Sequence, residues 1–144
     1  MTELTETTRA HRADARHLAR HQVMGLAVLF LLGMAVNLIG QPSQAKGSAR
    51  TASTVLLAAH VLIALGLVVG AVLVIRATPS ARNRSRQLAI LGAAAIAAAF
   101  AAGLLSMITN SNWWSYGMAL GFIASLLAYG GLLITGTPPS RHSE

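Results

Sequence analysis

The sequence predicts an all-α protein: a four-helix transmembrane bundle that runs up-down-up-down with both termini in the cytoplasm. Three observations predict it. Four apolar stretches, at 23–40, 52–75, 88–108 and 113–135, contain no Asp, Glu, Lys or Arg. Each has about 18 residues or more, enough to cross a hydrocarbon core about 30 Å thick at 1.5 Å per residue. The connections between them are short, which makes sequential helices antiparallel neighbours. Basic residues divide nine to two between the two sides that this threading creates, and the positive-inside rule places the richer side, with both termini, in the cytoplasm.

The tail, 1–21, carries Arg9, Arg12, Arg16 and Arg20. Arg12, Arg16 and Arg20 recur every four residues and share one face if 5–21 is helical. Next to a membrane span, such a face is expected to contact anionic lipid headgroups. His17 and His21 are also four apart, yet two ligands without a Cys or carboxylate beside them make a poor metal site, and no metal is predicted. Glu3, Glu6 and the Thr-rich start read as solvated and disordered.

Span one, 23–40, ends at Gln41-Pro42-Ser43, a turn signal. Its rival reading is a signal peptide, with small residues at Ser43 and Ala45 after a basic, then apolar, start. The apolar run of about 18 residues exceeds the 7–15 of a signal-peptide core, so the span is expected to be kept. Span two, 52–75, ends at Thr78-Pro79-Ser80 and contains Gly66 and Gly70 in a GxxxG pattern. Span three, 88–108, is an alanine helix, smooth on nearly every face between Gly92 and Gly103. Asn110, Ser111 and Asn112 supply a turn and an N-cap for span four, 113–135. Trp113, Trp114 and Tyr116 open that span as an aromatic interface belt, and Thr137-Pro138-Pro139 closes it before the 137–144 tail. The bundle as a whole occupies 22–136.

Gly117 and Gly121 form a second GxxxG in span four. Lipid gives helices no hydrophobic reason to associate, so small residues that let backbones approach carry much of the packing. Gly66, Gly70, Gly117 and Gly121 are therefore the predicted packing positions, either within the chain or against another chain. By angular position, Gly66 and Gly70 point about 100° away from His60, so the two features are expected to meet different neighbours.

His60 is the only strongly polar, ionisable side chain well inside a span, roughly 12 Å deep counted by helical rise. An unpaired imidazole in hydrocarbon is costly. The structural reading pairs it with Ser106 or Tyr116, near Asn37, in a small polar cluster that fixes helix register. The alternative reading makes it a redox or quinone-linked residue: an axial ligand of haem b with Met118 or Met107 opposite, or a polar contact to a quinone or lipid headgroup. Membrane four-helix cytochromes usually supply two histidines per haem, and this chain offers one, so the main expectation is no cofactor.

The chain has no cysteine, which removes disulfide, thiolate and iron–sulfur chemistry. All four acidic residues, Glu3, Glu6, Asp14 and Glu144, lie in the tails, so the spans lack the carboxylate that proton-driven transport usually needs. The formal charge of +7 rests on arginines beside spans, which orientation and anionic lipid explain without nucleic acid. No nucleophile, carboxylate pair or nucleotide loop is present, so no catalytic residue is assigned. The functional expectation is a non-enzymatic membrane protein working through helix–helix contacts, as a homo-oligomer or an accessory subunit of a larger complex.

High Ala, Gly and Arg with a single Lys suggests a high-GC bacterial genome. The segments Ala59-His60-Val61-Leu62-Ile63-Ala64-Leu65-Gly66 and Trp114-Ser115-Tyr116-Gly117-Met118-Ala119-Leu120-Gly121-Phe122 resemble small four-span proteins of Gram-positive bacteria. The resemblance covers the spans and not the tails; it implies the four-span fold in a plasma membrane and carries no activity. Small multidrug exporters are equally short, but they need a glutamate in their first span, and 23–40 has none.

Overall fold

The structure is a computed structural model that describes residues 2–40, 42, 45–78, 83–109 and 112–135, with side chains described throughout these except at 2–12, 83 and 112. Four helices account for nearly all of it: α1 (Thr2–Ile39), α2 (Ser48–Ala77), α3 (Asn83–Thr109) and α4 (Asn112–Thr135). All four are long and apolar enough to cross a membrane, over Ala13–Ile39, Ser48–Ala77, Arg84–Thr109 and Trp113–Thr135. Within an 18-residue apolar stretch of each, only 11% to 28% of the residues are buried inside the molecule, so most of their side chains need a nonaqueous covering. The chain is therefore a multi-pass membrane protein.

One expectation is corrected at once. The start of the tail, read as disordered, is helical from Thr2, and α1 is a single helix of 38 residues. The sequence contains no Gly or Pro before Gly25 to interrupt it. Glu3 and Glu6 fall in the first two turns, where negative charge favours a helix N-terminus. The helix ends where glycine permits it. Gly40 adopts φ +94°, and its amide still bonds back to the Val36 carbonyl at 3.0 Å. Ser53, fully buried, then donates its hydroxyl to the Gly40 carbonyl at 2.6 Å and ties the end of α1 to the start of α2. At the far end of α2, Thr78 closes the helix with its amide and hydroxyl, both directed at the Val74 carbonyl (3.0 and 2.7 Å). The expected turn residues Gln41, Ser43, Gln44, Pro79, Ser80, Asn110 and Ser111, and the 137–144 tail, lie outside the described residues.

The helices form a closed ring in chain order. α3 packs most extensively on α4, and α1 on α2; narrower seams join α2 to α3 and α1 to α4. Across the diagonals, α1 and α3 do not approach each other among the described residues, nor do α2 and α4. Paired contacts run in opposite sequence directions within each tight pair. Gln22, Gly25 and Gly33 of α1 meet Gly70, Leu67 and His60 of α2, while Gly92, Gly103 and Gly121 of α3 and α4 meet Tyr129, Met118 and Ala99. The core gathers Ala19, Leu26, Leu67, Ala71, Val74, Ala89, Ile96, Tyr129 and Leu132. Phe30 stacks on Phe122 with centroids 5.5 Å apart and joins α1 to α4.

Candidate functional site

Glycine and alanine decide how closely the helices approach. In the α3–α4 seam, a Cβ on Gly121 would lie 2.8 Å from the Ala99 Cβ and 2.9 Å from the Ala95 carbonyl oxygen, so α4 rests directly on the α3 backbone. Gly117 faces Ala102 in the same seam at an ordinary 3.5 Å. Gly92, on α3, makes room for the Tyr129 ring: a Cβ there would be 2.8 Å from its Cζ. Tyr129 is fully buried, and its hydroxyl has no hydrogen-bond partner among the described residues.

The α1–α2 seam follows the same logic with a polar group in it. Gln22 is 4% exposed, and its Nε2 donates to the Leu67 carbonyl at 3.1 Å. Only a glycine at position 70 permits this, because a Cβ there would overlap the Gln22 amide. The Gln22 Oε1 is buried without a partner among the described residues. Gly25 accepts the Leu67 side chain, with a Cβ there falling 2.8 Å from Cδ2. Gly66, the other half of that GxxxG, is exposed, and a Cβ on it would meet nothing within 4 Å.

His60 faces α1. Its Cε1 lies 3.4 Å from the position of a Gly33 Cβ, and the Leu29 backbone carbonyl is its polar neighbour; Nδ1 is buried without a partner among the described residues. The expected polar cluster does not form. Ser106 pairs instead with Ser115 at 3.3 Å, Asn37 is exposed, and Tyr116 is exposed beside Trp113 with ring centroids 6.1 Å apart. Met118 packs over Gly103 of α3, and Met107 is exposed. Because α2 and α4 sit on a diagonal, the structure does not bring His60 and Met118 together. His60 and Gly70, expected to meet different neighbours, face Gly33 and Gln22 respectively, both on α1.

At the tail, Arg16 and Arg20 are exposed, Arg12 lies on α1 with its side chain outside the described residues, and the His17 and His21 rings lie 4.3 Å apart by centroid, tilted by 43°. Among the described residues, no group of three or more His, Cys, Asp or Glu could hold a metal ion.

No protein-family model, curated protein or solved structure matches the chain. The geometry must speak for itself. The feature that sequence reasoning left undivided is the alanine run of α3. Ala95, Ala99 and Ala102 turn toward α4, while Ala94, Ala97, Ala98 and Ala101 are exposed on the outside of the ring. Those four recur at i, i+3, i+4 and i+7, one face of a helix. Leu91 and Leu104, both large and exposed, bound this small-residue stripe at its two ends, so the alanines form a shallow recess along the outer face of α3.

Proposed function

We propose that this is a small non-enzymatic protein of the bacterial plasma membrane that acts by presenting a helix-docking face, as a homo-oligomer or as an accessory subunit of a larger membrane complex. The outward alanine recess of α3 carries the reading. Gly117, Gly121 and Gly70 are occupied inside the chain, so their small size serves the fold itself. Ala94, Ala97, Ala98 and Ala101 have no such partner in the ring, and small residues at this spacing are what a transmembrane helix needs to approach closely. The topology that goes with it is up-down-up-down with both termini cytoplasmic, supported by the nine-to-two division of basic residues. Arg12, Arg16 and Arg20 would then stand on the side of the anionic cytoplasmic leaflet, with Arg20 nearest to it.

The absence of cysteine makes a direct test simple. Ala97→Cys, treated with a short bifunctional maleimide in native membranes, should give a crosslinked species that Leu127→Cys, on the outer face of α4, does not give. A product of twice 15.0 kDa identifies a second copy, and a different mass identifies a partner subunit. If Ala97→Cys crosslinks no better than Leu127→Cys, the α3 recess is a lipid-facing surface only and the proposal falls.

A further inference from the structure

The part of α1 that precedes its apolar stretch is sorted by charge around the helix axis. At about 3.6 residues per turn, the positions of Arg9, Arg12, Arg16 and Arg20 fall within one arc of about 80°. The positions of Glu3, Glu6, Asp14, His17 and His21 fall within a second arc of about 80°, centred about 120° from the first. The helix therefore has a cationic side and a separate side of carboxylates and imidazoles.

Spacing alone leaves His17 and His21 a poor metal site, because it does not orient the rings. The structure supplies the orientation. Both side chains are exposed, and their ring centroids are 4.3 Å apart with the planes tilted by 43°. Two imidazoles that bind one ion at about 2.0–2.1 Å, roughly 90–109° apart, place their centroids about 4.5–5.2 Å apart, so a shift of about 1 Å or less brings this pair to chelating distance. His21 Nδ1 is 2.8 Å from the His17 carbonyl oxygen. A carbonyl only accepts, so Nδ1 donates and Nε2 is the nitrogen left to bind. Metal-bound histidines usually hold their other N–H on such an acceptor, which fixes the ring. The helix is continuous through this stretch, so the separation of the two residues is set before any ion arrives. Asp14, also exposed, lies about 40° around the axis from the midpoint of the pair and attracts a cation, while Arg16 and Arg20 turn away by about 120° and 80°.

We propose that His17 and His21 bind a single divalent transition-metal ion on the part of α1 outside the apolar stretch, with water in the remaining coordination positions. Among the described residues no third His, Cys, Asp or Glu joins the pair. Two imidazoles alone select Cu2+ first, with Ni2+ and Zn2+ after it, and offer no oxygen cage for Mg2+ or Ca2+. An ion held across one helical turn stiffens α1 immediately before Gln22, the residue that ties it to α2.

The test uses the full-length protein in detergent, purified without a histidine tag and titrated with Cu2+ by calorimetry above the ordinary histidine range, at about pH 7.5. Wild type should bind one ion per chain. His17→Ala and His21→Ala should each weaken binding by about tenfold or more, the loss expected when a two-point attachment becomes one-point. His11→Ala should bind as wild type does. Arg16→His combined with His17→Ala keeps the number of histidines but sets the pair five residues apart, about 140° around the helix, and should bind as weakly as His17→Ala alone. Zn2+ should also slow amide hydrogen exchange over the turn from His17 to His21 in wild type, and not in His17→Ala. A wild type without a saturable site, equal affinity in wild type and His17→Ala, wild-type affinity in the respaced variant, or loss of binding in His11→Ala each overturns the proposal. Amide exchange that Zn2+ leaves unchanged in wild type overturns it too.

Discussion

Replacing Gly121 by alanine tests the α3–α4 seam with the smallest possible probe. The added Cβ would sit 2.8 Å from the Ala99 Cβ, 2.9 Å from the Ala95 carbonyl oxygen and 3.1 Å from the Ala99 amide nitrogen. Carbon atoms pack best at about 3.5–4.0 Å, so α3 and α4 must part locally by roughly 1 Å. Two of the three obstacles are backbone atoms, which no rotamer change relieves. Overpacking of this kind costs about 1–3 kcal/mol. Alanine also gains up to about 1 kcal/mol over glycine in helix propensity, and that gain masks part of the loss. Gly66→Ala supplies the correction, because it makes the same exchange in a helix where the Cβ meets nothing within 4 Å. The difference between the two variants should therefore isolate the seam at about 1–3 kcal/mol, with Gly66→Ala equal to or more stable than wild type. Reversible unfolding by SDS in mixed micelles, followed by circular dichroism, measures both on one scale. Equal unfolding free energies for Gly121→Ala and Gly66→Ala would refute the register of α4 on α3.

Three further outcomes are expected. Gly70→Ala should displace the Gln22 amide and break its bond to the Leu67 carbonyl, costing about 0.5–1.5 kcal/mol; in a Gln22→Ala background the same change should cost almost nothing, and a fully additive double-mutant cycle would contradict the contact. Tyr129→Phe removes a buried hydroxyl that has no partner among the described residues, so it should leave stability unchanged or raise it by up to about 1–3 kcal/mol; a clear loss in the same unfolding assay would reveal a hydrogen bond at that hydroxyl. Reporter fusions at Gly47 and after Glu144 should fall on opposite sides of the membrane, and finding both on one side would overturn the up-down-up-down threading.

The helices were legible because hydrophobicity and the exclusion of charge are properties of local composition: 52–75, 88–108 and 113–135 fall within helices of the structure, and 23–40 does so up to Ile39. Helix ends were less legible. A helix does not stop where the hydrocarbon does, and polar residues such as those before Gln22 continue it in water. Which face meets which neighbour was the least legible. His60 and Gly70 lie about 80° apart around α2, yet both meet α1, because crossed helices rotate their contact face along their length and the Gln22 arm reaches across the seam to Gly70. Gln22 itself was missed. It sits one residue outside the apolar stretch and counts there as part of a polar tail, but its place on the stripe of Ala15, Ala19 and Leu26, all buried, was a signal that it turns inward.

The unbroken first helix determines how the basic tail encounters the bilayer. At 1.5 Å per residue, 38 residues make a rod about 57 Å long, nearly twice the hydrocarbon thickness. A tail that lay flat on the headgroups would need a kink where the chain leaves the membrane, and neither glycine nor proline is available before Gly25 to make one. The rod therefore continues outward as a mast in line with its span. Arg20, Arg16 and Arg12 stand on it at successive heights about 6 Å apart, against a screening length of about 8 Å at physiological salt. With the tail on the cytoplasmic side, as proposed, the pull of an anionic leaflet would weaken rung by rung, strongest at Arg20 and faint at Arg12. Glu3 and Glu6 ride at the top, where the repulsion of that surface has nearly died away, so the order of charges along the mast matches the decay of the field in which it stands.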